Sequence, residues 1–547
     1  MAYFGRSRNG CIVVLAGALA VASGAEAAPS GALEGQVVYV ADSSDDRVVA
    51  FVDRDTTGAI ETDADREMVV FYDDTSPGPD LSVPSALALA PGGRRLFLLD
   101  GGTLDVVIAL EDRDWNGDAN GEGEWSIFYD DSSPGPNLST PGALAIGTDG
   151  ALYVADDGSG AKRILRLEDK DGDGSANGAD EWMTVFDLKA QVDGGEVPSD
   201  IESIAFASSG DLMAGDSTLG RIYRMKDLTG DADYLDAGEV AVYYDPKGSH
   251  PFTKLTGLAA DRSGAVYAAD AATGLVVRLE DRNNDGDALD DGEASVFLDP
   301  ALPPALQGVA ELAVTTGGAL LLADTRTDSI HVAADMDGDG RATADGEVVR
   351  WTLDGGKQLT TPSGVAVGPI PEPPALYISR VEPVEGPTGG GTAVRISGKF
   401  PAGGDLQVSF GGSRAEVVSA TIDAVECRTR PAREGLVEVR VRSGTEETMR
   451  PAAFRYHGPF FLRGDGNQDD RVDLSDAVAI VGYLFLGGPP STCRDAMDSN
   501  DDGAINVTDP VYLLEYLFLG GDTPPAPFPD RGYDLATDNL PCEALSG

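Results

Sequence analysis

The sequence predicts a mainly β protein: a six-bladed β-propeller, then a small β-sandwich, then a short α-helical C-terminal segment built on paired acidic loops. Three observations predict it. Six segments of one pattern recur, each an apolar run ending in Asp, an acidic loop, a closing Glu and another apolar run. The closing residues Glu67, Glu124, Glu181, Glu239, Glu293 and Glu347 are separated by 57, 57, 58, 54 and 54 residues, near the period of propeller blades and too long for most helical solenoids. Composition then changes after the proline-rich PIPEPP at 369–374, and the final 88 residues hold a duplication offset by 33.

Inside residues 36–369 each copy resolves into four short apolar runs of strand length and composition. The first run reads SALALA, GALAIG, ESIAFA, TGLAAD, AELAVT and, at 363–368, SGVAVG. The second ends in Asp42, Asp100, Asp156, Asp216, Asp270 or Asp324; the third precedes the acidic loop, as in RILRLED, and the fourth follows it, as in EWMTVFD. The chain enters on a second run, VVYVAD, and leaves on a first run, so the last strand should complete the first blade and close the ring. The propeller is thus expected over residues 34–369. Its strands GALYVAD and GAVYAAD resemble those of the six-bladed NHL and regucalcin-like propellers, a fold-level resemblance over about 330 residues, and that fold hosts unrelated functions.

The loops place oxygen-bearing side chains at alternate positions: Asp112, Asp114, Asn116 and Asp118; Asp169, Asp171, Asp173 and Ser175; Asp281, Asn283, Asp285 and Asp287; Asp335, Asp337 and Asp339. Alternation lets a tightly turning loop aim successive oxygens at one hard cation, and glycine at the sixth place permits the turn, so calcium is the expected occupant. An EF-hand loop closes with a bidentate carboxylate at position twelve, whereas these put Glu124, Glu181, Glu293 and Glu347 at position thirteen. The alternative is a solvated acidic hairpin. The copies begun by Asp53 and Asp227 look degenerate, since Thr57 and Ala59, or Thr229, stand at ligand places.

With 92 acidic against 40 basic residues the formal net charge is −52, a surface that repels nucleic acid and anionic lipid. Arg6 and Arg8, an apolar core from Cys11 to Ala22 and then Ala25-Glu26-Ala27 read as a secretory signal over residues 1–27. Cys11 precedes that core, so it is not placed as a lipid-anchor cysteine, and no later segment has the apolar length of a transmembrane helix. The expected location is secreted, cell-surface or periplasmic.

The acidic loops join third to fourth strands and should ring the outer edge of one face. The opposite face, built from the turns after the six strand-end aspartates and from the crossings between blades, is the candidate ligand surface. Two of its crossings, YDDTSPGPDLSVP at 72–84 and YDDSSPGPNLSTP at 129–141, are nearly identical. The six aspartates could surround a metal at the channel mouth, as the resemblance to lactonases of similar fold implies. A residue repeated identically six times instead suggests architecture, a carboxylate capping a turn through backbone N–H groups. Histidine is confined to His250, His331 and His457, none beside a nucleophile motif, so Ser/His/Asp or histidine-rich metal chemistry is poorly supplied. Among so many acids no pair is singled out for glycoside hydrolysis.

After a linker at 370–374, the stretch ISRVEPVEGPTGGGTAVRISGKF from Ile378 to Phe400, followed by VSFGG, resembles the opening of an IPT/TIG immunoglobulin-like domain, here 375–457. Its later runs, Leu436–Val441 and Ala453–Tyr456, alternate as sandwich strands do, and Cys427 is its only cysteine. The resemblance implies a spacer or adhesive module.

The duplication reads DGNQDDRVDLSDAVAIVGYLFLGG from Asp465 and DSNDDGAINVTDPVYLLEYLFLGG from Asp498. A twelve-residue acidic loop running into an amphipathic helix, twice, resembles a type I dockerin, here 460–547. The resemblance implies calcium ligands at Asp465, Asn467, Asp469, the Arg471 carbonyl, Asp473 and Asp476, and at Asp498, Asn500, Asp502, the Ala504 carbonyl, Asn506 and Asp509. Loop one carries Asp470 where loop two has the preferred Gly503, which should weaken the first site. Calcium should help this module fold, because its carboxylates repel one another and its helices are short. Cellulosomal dockerins usually meet cohesin through a Ser-Thr-like pair late in the loop and a basic pair on the helix. Here the pairs are Leu474-Ser475 and Val507-Thr508, then Val481-Gly482 and Leu514-Glu515, which argues against the cellulosomal pairing mode. The repeated YLFLGG is expected to pack helix on helix, and Cys493 and Cys542 can form a disulfide.

The chain is therefore expected to be a secreted calcium-binding modular protein whose propeller binds an extracellular protein or polysaccharide and whose dockerin-like module attaches it; the resemblance adds a cohesin-like receptor to the expected partners. The rival expectation is a carbohydrate-active hydrolase, lyase or lactonase carried by the dockerin, for which unlike polar residues should converge at the channel mouth.

Overall fold

The computed structural model describes residues 27–533, Leu540 and Cys542, apart from 30–31, 54–59, 61–66, 76, 103–104, 131, 133, 159–160, 188–191, 194–197, 247–249, 302–305, 353–357, 402–405, 459 and 490. The expected signal segment, all but its last residue, lies outside the described residues, as do Thr57 and Ala59. The chain divides into two compact units, one of residues 1–113 and 117–371, the other of residues 114–116 and 372–547.

The first unit is a ring of six four-stranded antiparallel blades. Its closure joins the two ends of the repeat region: the innermost strand of the first blade is the last one, Pro362–Pro369, paired antiparallel with Gln36–Asp42 in the register Val38↔Val367 and Val40↔Val365. Those two strands are joined in sequence only through the other five blades, so the ring locks end to end. The fourth blade adds a short parallel edge strand, Val192–Asp193.

Second strands such as Leu96–Asp100, Val266–Asp270 and Leu320–Asp324 are buried at every residue. A blade is covered on both faces by its neighbours, so its middle strands read as continuous apolar runs rather than alternating ones. The innermost strands are rich in Ala and Gly because six of them converge on one channel. A Cβ on Gly364 would stand 3.0 Å from the Ser85 carbonyl oxygen and 3.1 Å from the Ala86 Cα of the next blade. The seam between the last blade and the first buries Phe51, Ile60, Val349, Trp351 and Leu359 together.

The six strand-end aspartates are all buried, at 0–1 % exposure, and their carboxylates receive backbone N–H groups from the crossing that leads into the same blade. Asp100 accepts from Ser82 (2.9 Å) and Val83 (2.7 Å), Asp156 from Ser139 and Thr140 (3.0 Å each), and Asp42 from Thr360 and Thr361 (3.1 and 2.7 Å) across the closure. Asp270 accepts from Thr253 (2.6 Å) and Lys254 (3.2 Å), and also from Ala272 and Thr273 in its own turn (2.8 and 3.3 Å). These carboxylates tie inter-blade crossings to second strands, the architectural role that their repetition suggested.

His331 lies on the third strand of the sixth blade and is fully buried. Its Nε2 faces the Thr327 and Ser329 hydroxyls at 3.2 and 3.0 Å, while Nδ1 is buried with no hydrogen-bond partner. Burial pushes its pKa down to about 4, outweighing the nearby Asp324 charge.

In the second unit, the immunoglobulin-like sandwich packs one sheet (Tyr377–Glu382, Ala393–Lys399, Ala424–Arg428, Glu416–Ala420) on another centred on Gly435–Ser443 and Glu446–His457. Its core holds Phe410, Phe454, Tyr456 and Cys427, and burial pushes the Cys427 thiol up to about 12. The C-terminal module has two helical segments, α1 (Leu474–Leu486) and α2 (Thr508–Leu514). Asp473 caps α1 by accepting from the Ser475 amide, while the Asp476 carboxylate accepts from the Asp473 amide, a reciprocal capping box. Cys493 and Cys542 are disulfide-bonded.

Two predictions follow from the ring. Asp270→Ala leaves four amides without their acceptor and should cost about 3 kcal/mol or more of propeller stability in chemical denaturation, with Asp270→Asn costing less and neither effect depending on calcium. His331 stays neutral in the folded chain while the unfolded chain takes a proton near pH 6.5. The unfolded state therefore binds more protons between about pH 6.5 and 4, and stability should fall as pH drops through that window. His331→Asn should flatten this pH dependence in urea melts.

Candidate metal centres

Among the described residues, seven acidic loops, five on the blades and two in the C-terminal module, share one backbone course. Positions four and six have left-handed φ in each. On the blades these are Trp115 and Gly117, Gly172 and Gly174, Gly230 and Ala232, Asn284 and Gly286, Gly338 and Gly340. In the module they are Gln468 and Asp470, Asp501 and Gly503. Two left-handed residues separated by one ordinary residue wind the chain tightly enough that the first carboxylate meets the sixth amide. Asp112, Asp169, Asp281 and Asp335 accept from Gly117, Gly174, Gly286 and Gly340 at 2.9, 3.0, 2.9 and 2.9 Å. The module does the same, Asp465 with the Asp470 amide at 2.9 Å and Asp498 with Gly503 at 2.7 Å.

The third and fifth side chains form turns onto amides two residues ahead. Asp114, Asp171, Asn283 and Asp337 accept from Asn116, Asp173, Asp285 and Asp339 at 2.8–3.0 Å. Asn467 and Asn500 accept likewise from Asp469 and Asp502 at 3.0 and 3.2 Å. One step on, Asp173, Asp285, Asp339, Asp469 and Asp502 accept from Ser175, Asp287, Arg341, Arg471 and Ala504.

The closing acid completes the likeness. Asp476, at position twelve, accepts from the Asn467 amide at 3.2 Å and the Asp473 amide at 2.8 Å; Asp509 accepts from Ser499 at 3.0 Å and Asn506 at 2.7 Å. Glu181, at position thirteen, accepts from Lys170 (2.9 Å) and Asp171 (3.1 Å) with one oxygen and from Gly178 (2.8 Å) with the other. Glu124, Glu293 and Glu347 repeat this with Arg113 and Gly121, Arg282 and Asp290, Met336 and Ala344. The extra residue of the blade loops is thus taken up after position eight, and the closing carboxylate returns to the same place.

Carboxylate oxygens lie within 4.8 Å of one another in Asp112/Asp114/Glu124, Asp169/Asp171/Glu181 and Asp335/Asp337/Asp339. In the fifth blade the amide of Asn283 hydrogen-bonds Asp285 and Asp290, and Asp281 Oδ1 is buried without a hydrogen-bond partner. That orphaned oxygen, followed by Asn283, Asp285 and Asp287 at alternate positions, is an acceptor that a hard cation would satisfy. Asp118, Ser175 and Asp287 sit at position seven of their loops. Asp118 and Asp287 accept from amides two residues on, at 3.0 Å each. The sequence reading missed Asp227, Asp231 and Glu239, which the fourth blade brings together despite Thr229. Acids at positions one, five and thirteen were the available signal.

A further cluster, Asp495, Asp498 and Asp501, already has its cation. The Arg463 guanidinium is fully buried among them, 3.1 Å from Asp495 and 3.0 Å from Asp501, and also donates to the Asp498 carbonyl.

The closing acids Glu181 and Glu347 of the blades are held low, whereas Asp476 and Asp509 of the module are raised. The Gly178 amide, with those of Asp171 and Lys170, holds Glu181 below the usual carboxylate range. In the module, burial first and then the charges of Asp465 and Asp469 push Asp476 up to about 6, while burial and then Asp498 and Asp502 push Asp509 up to about 7. Carboxylates crowded this way gain most from a cation placed between them.

Each blade loop also reaches its neighbour. The position-eight residues Ala119, Ala176, Tyr234, Ala288 and Ala342 are buried. Their amides donate to carbonyls of the preceding blade's outermost strand, Phe71, Phe128, Val185, Tyr243 and Phe297, at 2.6–2.8 Å. The corresponding Val472 and Ile505 pack into the module's own core.

At the channel end where the innermost strands begin, a cavity of about 230 Å³ is lined by Ser85, Thr140, Asp157, Asp200, Glu202, Thr256, Glu311 and Ser363, among others. Burial and then a hydrogen bond to Asp200 push Asp157 up to about 6; against burial, Asp200 is held low by hydrogen bonds from Asp157, Ser217 and Thr218. Lys162 Nζ lies 2.6 Å from Asp157, and burial pushes Glu311 well above the ordinary range.

Residues 376–456 match the IPT/TIG domain family and residues 463–518 the dockerin type I domain family. The chain carries both domains. No curated protein matches it. Solved structures similar to it include a streptogramin B lyase (14 % identity, 61 % of this chain and 85 % of that one, TM-score 0.36) and the calcium-binding protein regucalcin from Agrobacterium tumefaciens (14 %, 61 % and 90 %, 0.34). A gluconolactonase from Xanthomonas campestris aligns at 12 % identity over 74 % of this chain and 98 % of that one, TM-score 0.36. The propeller assignment rests on the sheet topology described above.

The helices of the dockerin domain correct one expectation. Tyr483, Leu484 and Leu517 pack inward, but Phe485, Leu486, Phe518 and Leu519 are 62–82 % exposed. YLFLGG therefore does not pack helix on helix along its whole length: the residues just before each left-handed Gly487 or Gly520 cap point outward. Among the described residues no helix is long and apolar enough to cross a membrane.

Loop one supplies a direct test. Asp470 sits at φ 64°, a conformation that L side chains resist and glycine does not. Asp470→Gly should strengthen calcium binding at the first site, by about 1 kcal/mol, and Gly503→Asp should weaken the second, both read by calorimetric titration.

Proposed function

We propose that the chain is a secreted calcium-binding protein in which the propeller binds an extracellular ligand and the dockerin domain attaches it to a receptor or assembly. The observation that carries the calcium reading is the shared course of the seven loops, from the two left-handed residues to the closing carboxylate. Asp465, Asn467, Asp469, the Arg471 carbonyl, Asp473 and Asp476 would hold one ion, and Asp498, Asn500, Asp502, the Ala504 carbonyl, Asn506 and Asp509 another. On the blades the alternating oxygens and closing glutamates of the loops begun by Asp112, Asp169, Asp281 and Asp335 would hold more, with Asp227, Asp231 and Glu239 as an additional set. Calcium there would neutralise part of the formal charge of −52 and brace the loops that touch neighbouring blades.

Attachment is supported by the exposed apolar residues Leu474, Val478, Val481 and Phe485, spaced along one face of α1, and by their counterparts Val507, Val511 and Phe518 after the 33-residue offset. A cohesin-like receptor reading this surface would meet aliphatic and aromatic side chains in place of the basic pair of cellulosomal dockerins. The second reading, a hydrolase, lyase or lactonase carried by the dockerin, is favoured by the unlike polar residues at the channel mouth.

Counting ions bound to the purified chain while following thermal unfolding tests the calcium reading. More ions than the dockerin domain's two, with a higher midpoint for the propeller, is the expected result. Two ions that stabilise the C-terminal module alone would leave the blade loops as acidic hairpins. For attachment, Phe485→Asp together with Phe518→Asp should abolish capture by any cohesin that binds the wild type in surface plasmon resonance.

A further inference from the structure

A sixfold repeat makes departures from it informative, and they gather at one place. The register of the inner strands aligns Glu202 of the fourth blade with Ser85, Gly142, Thr256, Ala310 and Ser363, and Glu311 of the sixth with Ala86, Ala143, Ser203, Gly257 and Gly364. Asp157, just after a strand-end aspartate, stands where the other blades have Ser43, Gly101, Ser217, Ala271 and Thr325. Asp200 stands where they have Val83, Thr140, Lys254, Gly308 and Thr361. Symmetric positions carry the architecture; these four acids break it, and all four line the cavity of about 230 Å³ at the channel mouth.

The arrangement does not suit a cation. No three carboxylate oxygens here come within 4.8 Å of one another among the described residues. The Ser217 and Thr218 hydroxyls donate to Asp200, Lys162 pairs with Asp157 at 2.6 Å, and Lys254 lies 3.4 Å from Glu202. Two of the four acids, Asp157 and Glu202, therefore already have a cationic partner. What remains is a dense set of hydrogen-bonding oxygens. Ser85, Thr256 and Ser363 donate to the carbonyls of Leu99, Val309 and Pro84, which leaves their lone pairs to accept from a ligand, and Glu202 and Glu311 add carboxyl oxygens from two non-adjacent blades. The volume is below the roughly 300–1,000 Å³ of pockets for drug-sized ligands, room for a single ring or the end of a longer chain.

We propose that this channel mouth is a binding site for a neutral, polyhydroxylated ligand the size of one sugar unit, with Glu202 and Glu311 accepting its hydroxyl groups. The proposal rests on the reading of the propeller as the ligand-binding unit and gives that ligand a chemical class and a place. Neutral ligands fit because an anion would meet four acids against two lysines and a cation would have to compete with Lys162 and Lys254 for Asp157 and Glu202, whereas hydroxyls replace water's hydrogen bonds one for one.

Saturation-transfer NMR on the full chain in calcium, with D-glucose, D-galactose, D-xylose and cellobiose as probes and choline as a cationic control, tests it. Transfer to at least one sugar with millimolar affinity, none to choline, and a loss of about tenfold in affinity in Glu202→Gln and in Glu311→Gln are expected. Glu202→Gln alters a partly exposed side chain and decides the matter alone if Glu311→Gln fails to fold. No transfer from any of the four sugars, stronger transfer to choline, or sugar binding unchanged in Glu202→Gln would overturn the proposal. The last of these, sugar binding that ignores the mouth, would leave the propeller a ligand-binding unit with its site elsewhere, so the two readings fail separately.

Discussion

The hydrogen bond from the eighth residue of an acidic loop to the outermost strand of the preceding blade is the contact on which the rest of the propeller depends. Inner strands of a propeller converge and pack through small residues, but outer strands diverge, and something must hold the rim. Here the rim is held by Ala119 on Phe71, Ala176 on Phe128, Tyr234 on Val185, Ala288 on Tyr243 and Ala342 on Phe297. A loop can place that amide only if its first seven residues keep their tight course. That course is built from carboxylates, which repel one another unless amides or a cation balance them. The −52 charge and the integrity of the ring are thus two sides of one device, and on the proposed reading calcium belongs to the propeller's own stability.

The same loop serves differently in the C-terminal domain. There the eighth residues, Val472 and Ile505, turn into the small core that α1 and α2 share, and a buried Arg463 joins the start of the module to its second loop through Asp495, Asp501 and the Asp498 carbonyl. One backbone solution is used once to stitch blades and once to seat helices.

The repeat made the fold legible in the sequence. Entry on a second run and exit on a first run foretold the pairing of Pro362–Pro369 with Gln36–Asp42, because ring closure leaves that arithmetic in the chain. The strand-end aspartates were readable as architecture for the same reason, their sameness. Less was legible where one side chain replaces another without changing the backbone. Thr229 disguised the loop whose Asp227, Asp231 and Glu239 nevertheless converge, since φ at Gly230 and Ala232, rather than the side chain before them, sets the turn. The outward Phe485 and Phe518 were misjudged because apolar periodicity reports amphipathicity but not whether a second layer covers the face. The acids of the channel mouth were invisible, being scattered over blades three, four and six and brought together only by ring closure.

Amide hydrogen exchange at the position-eight residues, with calcium and after chelation, tests this account most directly. The account predicts that Ala119, Ala176, Tyr234, Ala288 and Ala342 are strongly protected in calcium and lose protection together on chelation, ahead of the second strands that precede them. Protection unchanged by chelation would contradict it, leaving the rim held by the polypeptide alone.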